Sequence, residues 1–163
     1  HSNFEKITYD GFGKDTVDII VEALTDNKNR TASKLRTIFQ KNGGNLGTQG
    51  SAAHNFKQIG VIRIDINEIK DDRIFELAID AGADECFSLE NFHEIHCGFE
   101  DIYSIKKKIE SHVENFISTD IEWIPLNKVS SEGENKEDIK KLIELLDDDD
   151  DVQRVYSNFG EED

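Results

Sequence analysis

Residues 60–126 read GVIRIDINEIKDDRIFELAIDAGADECFSLENFHEIHCGFEDIYSIKKKIESHVENFISTDIEWIPL, and their periodicity decides the fold. Gly60–Asp65 carries Val61, Ile62 and Ile64 and reads as a strand. In Asp71–Ala81 the apolar positions Ile74, Leu77, Ala78 and Ala81 recur at helical spacing, and Gly82 follows as a cap. Two short strands are expected next, about Glu85–Leu89 and Phe92–Cys97. A second helix is predicted over Phe99–Val113, with Ile102, Ile105, Ile109 and Val113 inward, before a last strand over Ser118–Leu126. The order β-α-β-β-α-β is that of the split βαβ, or ferredoxin-like, sandwich.

Upstream, Glu5–Tyr9 and Val17–Leu24 read as strands joined by turn chemistry in Asp10–Lys14. A helix follows from Asn29 or Arg30 to Lys41, with Ala32, Leu35, Ile38 and Phe39 inward and Asn42-Gly43-Gly44 as its stop. Downstream, Lys128–Asn135 is a polar linker, and a helix over Lys136–Leu146 places Ile139, Leu142, Ile143 and Leu146 on one face. The run Asp147–Asp151 ends that helix, because stacked negative charge at a helix C-terminus opposes the macrodipole. The closing strand, Val152–Phe159, has no partner nearby in sequence and is expected to return to the first strands. The predicted architecture is therefore α+β, two ferredoxin-like α/β sandwich domains with one inserted into the other. Residues 1–59 plus 128–163 would form the discontinuous domain and residues 60–127 the inserted one.

The chain has 163 residues and a formal net charge of −16, which sets it against non-specific duplex binding as a whole. From Asp26 to Asn42, however, Lys28, Arg30, Lys34, Arg36 and Lys41 face Asp26 alone, a local +4 that leaves about −20 for the rest. At 100° per residue Arg30, Lys34, Thr37 and Lys41 fall within about 60° of one another, opposite the apolar stripe. Such an island informs the choice of partner rather than the fold. Asn27, Lys28, Asn29, Arg30, Lys34 and Lys41 are the candidate nucleic-acid contacts: cations for phosphate, amides as donors at a helix N-terminus.

No apolar run approaches the roughly 18 to 20 residues that span a bilayer, and no signal peptide opens the chain. The first residue is not Met, which reads as the boundary of a longer protein. Cys86 and Cys97 are too few for a disulfide scaffold and point to a reducing compartment. The glycines of Gly43–Gly50 fit neither a dinucleotide loop nor a P-loop, and read as a cap followed by tight turns. Cys86, His93, His96 and Cys97 lack ligand spacing, since on a strand His96 points away from His93 and Cys97. Counted from Asp147 as a calcium loop, position six is Val152 and position twelve Asn158, so the aspartate run reads as a solvated turn. No nucleophile–base motif is present, and no catalytic residue, metal or cofactor is predicted.

The blocks ITYDGFG, VEALTDNKNRT, KNGGNLGTQGS, LAIDAGADE and DDDDDVQRVYSNF, with Trp123-Ile124-Pro125 between the last two, resemble the YebC family along essentially the whole chain. That family includes the mitochondrial translational activator of cytochrome c oxidase. The resemblance implies a three-domain protein whose second and third domains this chain represents, its missing first domain being a small Lys/Arg-rich helical unit. It further implies a non-enzymatic, cytoplasmic bacterial protein (or a mitochondrial relative) with no cofactor, small-molecule substrate or membrane association. The implied role is a probable transcriptional regulator that binds DNA, mainly through the missing domain. The alternative is a ribosome-associated translational activator acting through ribosomal RNA or ribosomal proteins.

Overall fold

The computed structural model describes residues 3–160. They belong to two compact units, one drawn from His1–Lys57 and Ile124–Asp163, the other from Gln58–Trp123.

In the first unit β1 (Glu5–Phe12) and β2 (Asp18–Thr25) form an antiparallel hairpin, Glu5 opposite Thr25 and Phe12 opposite Asp18. Helix α1 (Lys28–Lys41) follows, then the two-residue β3 (Asn45–Leu46), which pairs with the end of β1. Val17, Ile19 and Val21 alternate onto one face of the sheet and meet Leu35 and Phe39 of α1. Gly11 is required there because a Cβ would run into the Phe39 ring. Helix α4 (Gly133–Asp147) adds Ile139, Leu142 and Leu146 to the same core, and β8 (Val152–Ser157) closes the sheet against β2, Ile19 opposite Ser157 and Val21 opposite Val155. The strand order is β3-β1-β2-β8. Taking β2-α1-β3 and α4-β8 as the two arms of a ferredoxin-like sandwich, β1 fills the place between β2 and β3. That strand therefore arrives from the N-terminal side of the arms.

In the second unit, β4 (Phe56–Asp65), α2 (Asp71–Ala81), β5 (Glu85–Ser88), β6 (Phe92–Gly98), α3 (Ile102–Ile109) and β7 (Phe116–Pro125) come in the predicted order, the outer ends of β4 and β7 extending past its limits. The sheet order β5-β6-β4-β7 is the ferredoxin-like order, second–third–first–fourth. Helix α2 opens with Asp71 and Asp72 at its positive end and stops at Gly82, whose φ of 106° few other residues adopt. Ile62, Ile64, Ile74, Ala78, Ile95, Ile102, Ile105 and Ile109 make the core. The α3 segment is shorter than read from sequence because Phe99–Asp101 form a separate 3-10 turn, yet Ile102, Ile105, Ile109 and Val113 are all buried as predicted.

On β6, His93 and Cys97 lie buried beside Ile95, whereas His96 is on the other face, paired with Glu94 at 2.8 Å. His93 hydrogen-bonds the Ile69 carbonyl at 2.8 Å and Ser88 Oγ at 2.7 Å. A carbonyl only accepts, so Nε2 carries a proton. Among the described residues no group of three or more His, Cys, Asp or Glu is placed to hold a metal ion, and no helix is long and apolar enough to cross a membrane.

Candidate nucleic-acid interface

Helix α1 is built to start and stop where it does. The Asn27 side-chain oxygen accepts from Arg30 N at 3.1 Å, the expected N-cap bond. At the other end Asn42 Nδ2 donates to the Ile38 carbonyl at 2.7 Å and Gly44 N to the Phe39 carbonyl at 2.8 Å. Gly43 turns the chain at a φ of 79°, and a Cβ on Gly44 would strike the Phe12 carbonyl, so the glycines answer to chain geometry.

The buried stripe of α1 is Thr31, Leu35 and Phe39. Thr31 takes the place expected for Ala32, which is half-buried, and the polar residue has a reason to be inside. Its hydroxyl lies 2.7 Å from Asp151 Oδ2 and 2.8 Å from Thr25 Oγ1. With one proton to give and a carboxylate that only accepts, Thr31 donates to Asp151 and takes the Thr25 proton.

Asp151 belongs to the acidic turn after α4. Its peptide carbonyl accepts from Leu24 N at 2.8 Å, which fixes the turn against the end of β2. The turn is only partly the solvated loop expected from the sequence: Asp147, Asp148 and Asp150 are exposed, whereas the Asp149 and Asp151 side chains are 10% and 12% exposed. Lys34 Nζ stands 3.2 Å from Asp149 Oδ1 and 3.0 Å from Asp151 Oδ2. Arg30 Nη2 stands 3.3 Å from Asp151 Oδ1 and 3.1 Å from Asp26 Oδ1. Three carboxylates thus meet two cations. The Thr31 hydrogen bond, helped by Lys34 and Arg30, holds the Asp151 carboxyl below the usual range against the effect of burial. The hydrogen bond that Arg30 donates to Asp26 raises the Arg30 pKa, and the one Lys34 donates to Asp151 raises that of Lys34.

The predicted contact residues are therefore divided. Asn27 is committed to the cap. Arg30 and Lys34 keep partly exposed side chains but share their charge with the turn, and a groove of about 360 Å³ lined by Ser33, Lys34, Thr37, Ile38 and Asp149 runs beside them. Lys28, Asn29 and Lys41 are exposed. Lys28, Arg36 and Lys41 form no ion pair among the described residues. At 100° per residue Lys41 lies within about 20° of Arg30 and Lys34, whereas Lys28 lies roughly 140° from Lys41, so one face does not gather all the cations. Sequence reading missed Asp149, Asp151 and Thr31; a threonine four residues before Leu35 and eight before Phe39 was the available signal.

Comparison with known proteins agrees with this architecture. Residues 4–159 match the family described as the second and third domain of TACO1/YebC. A probable transcriptional regulatory protein of Pelagibacter ubique (strain HTCC1062) is 60% identical over 159 residues, 98% of this chain and 66% of that protein. A second protein of the same description, from Zymomonas mobilis, is 40% identical over 161 residues, 99% of this chain and 65% of that protein. The chain thus spans just under two thirds of the length of these relatives. The crystal structure of a conserved hypothetical protein from Aquifex aeolicus superposes with a TM-score of 0.86 at 34% identity, over 98% of this chain and 66% of that one. With the family match covering residues 4–159 and relatives at these identities, the chain belongs to the TACO1/YebC family and comprises its second and third domains.

Proposed function

We propose that this protein regulates gene expression by contacting nucleic acid, DNA in the first instance, and that α1 supplies phosphate contacts in these two domains. The observation that carries the reading is the local +4 of Asp26–Asn42 within a chain of net −16. The two relatives named as probable transcriptional regulatory proteins support it. Arg30, Lys34 and Lys41 make the phosphate-facing stripe. Lys28 and Asn29 meet the backbone at the first turn, and Asn27 takes part through its amide donors while its oxygen caps the helix. A phosphate approaching Arg30 and Lys34 competes with Asp149 and Asp151 for the same cations, so Lys28 and Lys41 are the unencumbered contacts.

The test is a salt titration of duplex binding by the full-length protein and its Lys28→Glu/Lys41→Glu variant. Each lost phosphate contact lowers the slope of log K against log salt by roughly 0.9. A fall of about 2 is expected, with weakening on every duplex sequence. An unchanged slope removes α1 from the mechanism. Crosslinking in cells that recovers only ribosomal RNA would replace transcription by translation as the process regulated.

A further inference from the structure

At the end of the first unit's sheet where β2 begins, a cleft of about 360 Å³ is lined by Phe12, Thr16, Asp18, Asn55, Asn127, Val129 and Asn158. The Asp18 residue is 6% exposed. Both amide donors that reach its side chain, Asn55 Nδ2 at 2.7 Å and Asn158 Nδ2 at 3.0 Å, land on Oδ2. Asn158 also closes on the Asp18 backbone, accepting from Asp18 N at 2.8 Å and donating to the Asp18 carbonyl at 3.2 Å. These bonds fix the carboxylate plane and leave Oδ1 without a hydrogen bond among the described residues. No cation among the described residues forms an ion pair with it. The nearby Lys14 is spent on Asp138 at 2.5 Å, and the neighbouring Asp15 is itself held by Ser131 and Asn135.

A buried carboxylate surrounded by amides, with one oxygen open to a cleft, is short of a positive charge and of a donor. We infer that this cleft receives an arginine side chain from a basic protein partner. A guanidinium presents N–H donors in a plane, which suits Asp18 Oδ1 together with the side-chain carbonyls of Asn55 and Asn127. The cleft is larger than a guanidinium alone, and its remaining wall is apolar: Phe12 and Val129 offer a surface on which the methylene stem packs. A guanine base presents a comparable donor edge, but it is neutral and would bring its phosphates towards Asp15 and Asp18. The charge on the cleft therefore favours the cation, as does a chain of net −16 seeking a basic protein.

The test is titration of the full chain, labelled with nitrogen-15, by the peptide Gly-Arg-Gly, by its citrulline counterpart and by guanosine monophosphate. The side-chain amides of Asn55, Asn127 and Asn158 are the reporters. Saturable shifts are expected with the arginine peptide at millimolar concentration, with at least tenfold weaker response to citrulline, which keeps the shape and loses the charge. Asp18→Asn, which can still accept the two amide bonds, is expected to weaken arginine binding at least tenfold. Should that variant fail to fold, Asn127→Ala, at an exposed position, is expected to weaken binding severalfold. Equal response to citrulline, no shift at the three asparagines, or a response to the nucleotide in place of arginine would each overturn the assignment.

Discussion

The Thr31 hydroxyl, on a helix near the start of the chain, donates a 2.7 Å hydrogen bond to the Asp151 carboxylate, 120 residues later. That bond joins the basic helix of the first unit to the run of five aspartates Asp147–Asp151. It couples two properties: the stability of the contact between α1 and the acidic turn, and the charge that α1 shows to a partner.

Thr31→Val keeps the shape of a fully buried side chain and deletes its hydroxyl. The Asp151 and Thr25 oxygens then lose a partner, a cost of about 1 to 2 kcal/mol in urea unfolding at neutral pH. The pH dependence has a definite sign. The folded Asp151 carboxyl sits below its ordinary value of 3.8, so its contribution is present above that value and fades as pH falls through the folded one. The Thr31→Val deficit is expected to shrink over the same acid range. A deficit that stays constant into strong acid would mean that Asp151 is not what the hydroxyl serves.

Releasing the cations is expected to raise affinity for nucleic acid. In Asp149→Asn/Asp151→Asn the ion pairs to Lys34 and Arg30 are lost, and about tenfold tighter duplex binding with a steeper salt slope should follow. Asp148→Asn/Asp150→Asn changes net charge equally in the same turn and has no ion pair with α1, so it is expected to gain much less. Equal gains in the two variants would reduce the effect to bulk charge, and no gain in either would leave the turn without influence on binding.

Local periodicity made the second unit legible, because every one of its elements packs against a neighbour within some 65 residues. The partner of the last strand was legible only by elimination, and β8 does pair with β2. What stayed hidden is contact between residues far apart in the chain. Asp149 and Asp151 look like any acidic run until the fold sets them over Lys34 and Arg30. Asp18 and Asn158 are 140 positions apart and carry no spacing that announces their pairing. The basic helix, by contrast, was legible as an element but not as an electrostatic surface, since its charge depends on which carboxylates the fold delivers. Thr31 shows the same limit: a β-branched polar residue reads as a helix flank until its acceptor is known.

Gly11 tests how closely α1 lies on β1. A Cβ there would enter the space of the Phe39 ring, a residue with no exposure and close neighbours throughout. Gly11→Ala is expected to cost about 2 to 3 kcal/mol through overpacking, read as a fall in midpoint in urea. Pairing it with Phe39→Leu, which vacates part of the ring, should recover some of that loss. If the double variant is no better than the sum of the singles, the clash is elsewhere.

The rim of the Asp18 cleft carries backbone strain that substitution can relieve. Asp15 and Thr16 both occupy the left-handed region, at φ of 56° and 58°, although neither is glycine. A β-branched residue there is disfavoured by roughly 1 to 2 kcal/mol, and glycine gives back about half of the gain by loosening the unfolded chain. Thr16→Gly loses only a hydroxyl bonded to the adjacent Asp15 carbonyl, so a net gain of about 0.5 to 1 kcal/mol and a melting temperature a few degrees higher are expected. Asp15→Gly relieves the same strain but forfeits the bonds to Ser131 and Asn135 that tie the turn to the start of α4, and should be neutral or destabilising. A loss of stability in Thr16→Gly would show that the turn is held by something other than these side-chain bonds.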